Sequence, residues 1–159
     1  MKSERIPVKS FSADNGFIGK VQKLVREEVL PYQYNILNDA IPDIEKSHAI
    51  ENIRLAAEKL RGKDVKPDEF YGMVFQDSDV AKWIEAAAYA LAAGEDPELE
   101  KAVDETIQLY GASQHEDGYV DSYFTVKCPD KTWTNIREAH ELYCAGHMME
   151  AAVAYYEVT

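Results

Sequence analysis

Residues 134–159, TNIREAHELYCAGHMMEAAVAYYEVT, decide the fold. Ile136, His140, Tyr143, His147, Ala151 and Ala154 recur along one side of a helix. Ala139, Leu142, Gly146, Met149, Val153 and Tyr156 recur along another. Two such faces predict a helix that starts near Thr134 and is buried nearly all round, because an ordinary surface helix shows a single apolar stripe. No Gly, Pro or Asn terminator closes it before Thr159. A helix of this kind needs neighbours on both sides. The expectation is therefore a truncated chain, or one that receives those neighbours from another molecule.

Upstream segments predict further helices. Val80, Trp83, Ile84, Ala87, Ala88 and Leu91 follow helical spacing, and Gly94 is placed to close that helix. Asp96 and Pro97 open the next one, which carries Leu99, Ala102, Val103, Thr106, Ile107 and Tyr110. An earlier helix is predicted from about Asp43 to Arg61, with Ile44, Ile53, Ala56, Ala57 and Leu60 inward and Gly62 ending it. The first helix follows Asp14 as its cap, presents Phe17, Val21, Leu24 and Val25, and should kink or end at Pro31. Residues 70–75 read as a buried extended connection. Asp77, Ser78 and Asp79 read as alternative helix caps, and 118–130 as a loop of locally extended flavour.

Composition narrows the function. The chain has 159 residues, 46% of them apolar, and its 17 Lys and Arg against 29 Asp and Glu give a formal net charge of -12. That balance argues against nucleic acid, whose phosphates bind Lys and Arg clusters, and against an anionic membrane surface. No apolar run approaches the ~20 residues that span a bilayer, and the first sixteen residues lack the apolar core of a secretory signal. Two cysteines, Cys128 and Cys144, form neither a CxxC pair nor a disulfide framework, so a cytoplasmic setting is expected.

Several residues could carry chemistry. His140-Glu141 begins an HExxH-like pattern, but Cys144 stands where the second zinc-binding His belongs. His147 and Glu150 lie three apart, yet no second Glu-x-x-His partner completes a bundle metal site. No metal ligand is therefore assigned within the chain. His140 and His147 are read either as core histidines satisfied by neighbours or as donors to a polar ligand. Cys144 reads as a small buried residue rather than a nucleophile, since nothing adjacent would lower its pKa.

Three longer runs carry a family resemblance: FYGMVFQDSDVAKWIEAAAYALA (Phe70 to Ala92), DPELEKAVDETIQLYGASQHEDGYVDSYFTV (Asp96 to Val126) and HELYCAGHMMEAAVAYYEVT (His140 to Thr159). With LPYQYNILNDAIPD and KSHAIENIRLAAEKL before them, the chain resembles the amino-terminal part of glycoside hydrolase family 127, the β-L-arabinofuranosidase-like enzymes. The resemblance implies an all-α fold of helical hairpins that form part of an (α/α)6 barrel, with residues 1–159 as one portion of its catalytic domain and no second domain. It also implies an activity, retaining hydrolysis that releases terminal L-arabinofuranose or a related sugar from an arabinose-containing glycan. The family's nucleophile is a zinc-bound cysteine, assisted by a separate Glu acid/base. Those groups lie in motifs that this chain does not match, so neither Cys128 nor Cys144 takes that role and no zinc is expected here. A sugar-contacting His falls on His140. The turn from Gly72 to Gln76 is expected to line the same cavity, and His48 of KSHAI joins it as a polar residue of uncertain role. The isolated chain is expected to be inactive. The alternative is a stand-alone binding or assembly module that self-associates to cover the open face of its last helix.

Overall fold

The computed structural model describes residues 3, 4, 6–11, 13 and 16–159. Asp14, expected as a cap, lies outside them. Every regular element among the described residues is helical: α1 Gly16–Leu24, α2 Leu30–Leu37, α3 Ala49–Leu60, α4 Asp77–Ala93, α5 Pro97–Ala112, α6 Ser122–Lys127 and α7 Glu141–Val158. None is long and apolar enough to cross a membrane.

Pro31 does not end the first helix. A π-helical segment, Val25–Val29, joins α1 to α2 and leads directly into the proline, which occupies the first turn of α2. A proline cannot donate to an upstream carbonyl, and its ring collides with the preceding turn. The widened π turn accommodates both defects. It also carries Arg26, whose guanidinium donates to the Glu95 carbonyl at 2.5 Å and reaches Asp96 at 3.4 Å, binding this segment to the α4–α5 connection.

The expected stripes on α4 and α5 are observed. Val80, Trp83, Ile84, Ala87 and Ala88 are buried on α4, and Val103, Thr106 and Tyr110 on α5. Asp96 caps α5 by accepting from the Leu99 amide at 3.2 Å. Trp83 stacks on Tyr34 with centroids 4.7 Å apart and donates its indole N–H to the Leu30 carbonyl at 3.1 Å, which fastens α2 to α4.

Other boundaries differ from expectation. The helix expected from Asp43 begins only at Ala49. Asp39, Asp43 and His48 all have positive φ, and Ile44 is exposed. The Asp39 carboxylate holds this bend by accepting from the His48 amide at 3.0 Å, so a side-chain bond outcompetes helix propagation. Of residues 70–75, only Phe70 is buried, and the segment turns rather than extends. The loop expected at 118–130 contains α6, capped by Asp121 through the Phe124 amide at 2.9 Å. Six residues are too few for an apolar period to register in sequence.

The last helix starts at Glu141, not Thr134, because His140 adopts a left-handed conformation that breaks the helical path. Cys144, Ala151, Ala154 and Val158 pack inward, and α4 and α7 form the most extensive helix pair. Leu142, Tyr143, Met149, Val153 and Tyr156 remain exposed. Burial all round is therefore not achieved among the described residues: the face ending in Ala151 and Ala154 is buried only at those two positions, and the face with Leu142, Met149, Val153 and Tyr156 is bare.

Candidate functional site

Four helix N-termini converge at one end of the molecule. Ser47 meets the start of α4, where Gln76 donates to its carbonyl at 3.2 Å and its hydroxyl at 3.3 Å. Ser122, first in α6, donates its amide to Asp77, first in α4, at 2.7 Å and its hydroxyl to the other carboxylate oxygen. Phe75 packs on His140, immediately before α7, at 5.2 Å between centroids. Helix N-termini favour acceptor groups, and the buried carboxyls of Asp77, Asp121 and Glu141 sit at those of α4, α6 and α7.

The four sequence-predicted residues come together here through a chain of contacts. Gly72 has φ +104°, a left-handed conformation that favours glycine, and a Cβ in its place would lie 2.7 Å from Gln76 Oε1 and displace that side chain. Gln76 uses that same oxygen to accept from the Met73 amide at 3.1 Å, closing the turn. Tyr71, next to Gly72, packs edge-on against His48 at 5.1 Å. His140 and His48 are the residues preceding α7 and α3, and both are left-handed, with φ 61° and 54°. Side chains seldom adopt this conformation, and such strain concentrates at functional positions.

The two imidazoles are oriented alike. His140 Nδ1 donates to the Glu138 carbonyl at 2.7 Å, and His48 Nδ1 donates to the Asp39 carboxylate at 3.0 Å. Both partners accept only, so in each neutral ring Nε2 is the unprotonated nitrogen. In the neutral form Nε2 of either ring can accept from a hydroxyl group, and in the protonated form it can donate to one. Ser47 also lines a groove of about 520 Å³ between α2 and α4, together with Tyr32, Gln33, Asp79 and Lys82.

Beneath this surface lies a polar network that sequence reasoning missed. Asn52, fully buried, pairs with the Tyr71 backbone in both directions, donating to its carbonyl at 2.7 Å and accepting from its amide at 3.2 Å. Asp77 does not cap α4 as expected, since its carboxylate is committed to Ser122. Glu141 accepts from the Trp133 amide at 3.0 Å and from the Tyr119 hydroxyl at 2.7 Å, which anchors the segment leading to His140. Tyr110 donates its hydroxyl to the Asp77 carbonyl at 2.7 Å. The only sequence signal for these roles was the Asp-Ser pair at 121–122, which is a recognisable helix start.

Burial raises the pKa of both Asp77 and Asp121, and Ser122 pulls Asp77 partly back. Asp121 reaches about 8, first through burial and then through the neighbouring Asp77 charge. Asp121 Oδ2 is buried with no hydrogen-bond partner. Both carboxyls are therefore held toward the protonated form, with the Ser122 hydrogen bonds partly favouring charge on Asp77. Cys144 is buried, and burial followed by the Asp77 and Asp121 charges pushes its thiol up to about 12. It is a protonated packing residue, as expected. No cysteine belongs to a cluster of potential metal donors among the described residues. The residues present do not fit a zinc-thiolate centre.

Helical hairpins with a polar site at the end where helix N-termini meet define part of a helical-barrel scaffold. Comparisons with known proteins specify which. The family model for the β-L-arabinofuranosidase GH127 catalytic domain matches residues 12–159. The chain is 44% identical over 151 residues to the non-reducing end β-L-arabinofuranosidase of Bifidobacterium longum subsp. longum, covering 84% of this chain and 22% of that protein. The crystal structure of a GH127 β-L-arabinofuranosidase from Geobacillus stearothermophilus T6 superposes with a TM-score of 0.84 at 56% identity, over 91% of this chain and 22% of that one. A second GH127 β-arabinofuranosidase gives 0.80 at 28% identity, over 97% and 24%. The chain belongs to the GH127 β-L-arabinofuranosidase family, and its fold is an all-helical part of an (α/α)6 barrel. It spans about a fifth of the length of these relatives.

Proposed function

We propose that these residues form an amino-terminal portion of the catalytic barrel of a retaining glycoside hydrolase that releases terminal L-arabinofuranose or a related sugar. In this reading the chain supplies part of the sugar pocket, with His140 and His48 accepting from sugar hydroxyls through Nε2 and the Gly72–Gln76 turn shaping the wall between them. The observation that carries the reading is the joining of these four positions at one end of the helices, with both rings fixed through Nδ1. Neutral sugars need hydrogen-bond partners and aromatic edges rather than a strong opposite charge. This suits a chain of net charge -12.

The nucleophile, the acid/base and the zinc ligands of the resemblance have no counterpart here, so hydrolysis by these residues alone is not expected. Titrating L-arabinose into the isotope-labelled chain tests the pocket. Shifts should cluster at His48, Gly72, Gln76 and His140, and His140→Ala should abolish them. Shifts elsewhere, or none, would remove the assignment. Turnover of a chromogenic arabinofuranoside by the chain alone would show that the nucleophile had been misplaced.

A further inference from the structure

The α4–α7 packing brings together a second polar group that the sugar site does not use. Glu85 lies on α4, and His147 and Glu150 lie one turn apart on α7. One ligand atom from each of the three lies within 4.8 Å of the other two. No hydrogen bond or ion pair with another described residue engages Glu85. Lys82, one turn earlier on α4, points elsewhere, donating to the Tyr143 hydroxyl at 2.7 Å and approaching the Ser78 hydroxyl at 3.3 Å. His147 Nδ1 is shut off from solvent and lies 3.1 Å from Glu150 Oε2, an ion-pair contact rather than a hydrogen bond.

Two carboxylates flanking an imidazole are satisfied either by a proton on the ring or by a cation that all three share. We propose that Glu85, His147 and Glu150 hold one divalent transition-metal cation between α4 and α7. An imidazole nitrogen with two carboxylate oxygens suits zinc-like ions better than magnesium or calcium, which prefer oxygen throughout. Three protein donors leave room for water in the coordination sphere. The imidazole is pre-positioned, because Tyr143 packs edge-on against it at 4.6 Å while Lys82 holds the Tyr143 hydroxyl. Such a cation would link the two helices that pack most extensively. The donor set contains no cysteine, so it differs in kind from the zinc-thiolate centre that the family resemblance implies, and it stands independently of the sugar pocket.

The sequence pointed to half of this group. His147 and Glu150 are legible as a spaced pair on one helix. Glu85, 62 positions before His147, joins them only through helix packing.

Isothermal titration of the metal-free chain with zinc chloride, in excess magnesium to occupy the acidic surface, tests the proposal. One equivalent should bind. Glu85→Gln and His147→Asn should each weaken binding at least tenfold, while Glu98→Gln on the exposed side of α5 should leave it unchanged. Cobalt(II) in place of zinc should give visible ligand-field bands that change on His147→Asn, because that variant removes a nitrogen donor. Absence of binding, an affinity shared by all variants, or an unchanged cobalt spectrum would overturn it. Circular dichroism establishes that the variants fold. If His147→Asn does not, the isosteric Glu85→Gln at a half-buried position decides.

Discussion

Replacing Asp121 by Asn should remove a pH dependence of stability that the buried carboxylate pair builds into the fold. Asp121 ionises near 3.8 when exposed and near 8 in the folded chain. Between those values the folded protein holds a proton that the unfolded chain has released, so raising the pH favours unfolding. One such group costs about 1.4 kcal/mol per pH unit, or about 2.7 kcal/mol from pH 5 to pH 7. For a chain of this size that corresponds to a fall in Tm of roughly 5 to 11 °C. The stabilising contribution is fully present below about pH 4 and is lost as pH approaches 8. The amide in Asp121→Asn would retain the oxygen that caps α6 through the Phe124 amide but could not ionise. Thermal melts followed by circular dichroism at pH 5 and pH 7 measure the difference between the two proteins. Surface carboxylates contribute equally to both and cancel. If wild type and Asp121→Asn lose stability in parallel over this interval, Asp121 is not the group that holds the proton.

Gly72→Ala should destabilise the fold by about 1–3 kcal/mol, measured by urea unfolding, because it places a Cβ in a left-handed turn against Gln76. Glu141→Gln should cost about 1.5–3 kcal/mol, since a charged acceptor of the Trp133 amide and Tyr119 hydroxyl is lost. Its signature is faster amide hydrogen exchange in residues 133–140 than in α5. Iodoacetamide should alkylate Cys128 well before Cys144 in the native chain, because the latter is buried with its thiol pushed up to about 12. Mass spectrometry of the modified peptides reads the order directly.

Elements with a long, single apolar period were legible in sequence. Val80 to Leu91 and Leu99 to Tyr110 each repeat their period often enough to define a face, and Asp96-Pro97 and Gly94 mark their ends. Elements whose limits depend on one side chain bonding back to the backbone were not. Asp39 delays α3 to Ala49, and the left-handed His140 delays α7 to Glu141. Apolar residues upstream of both points continue the pattern without being helical. The candidate site rests on motif resemblance, which selected His140, His48, Gly72 and Gln76 but assigned no geometry to them.

The sequence by itself determined the helical class, the main buried stripes and the family, because periodicity and motif order are properties of neighbouring positions along the chain. Tertiary structure alone decided that Asp121 and Asp77 are buried together with raised pKa values, that the His140 and His48 rings are held through Nδ1, and that Glu85 faces His147 and Glu150. Protonation, tautomer and clustering depend on desolvation and on partners within a few ångströms. Those partners come from helices that only packing brings together.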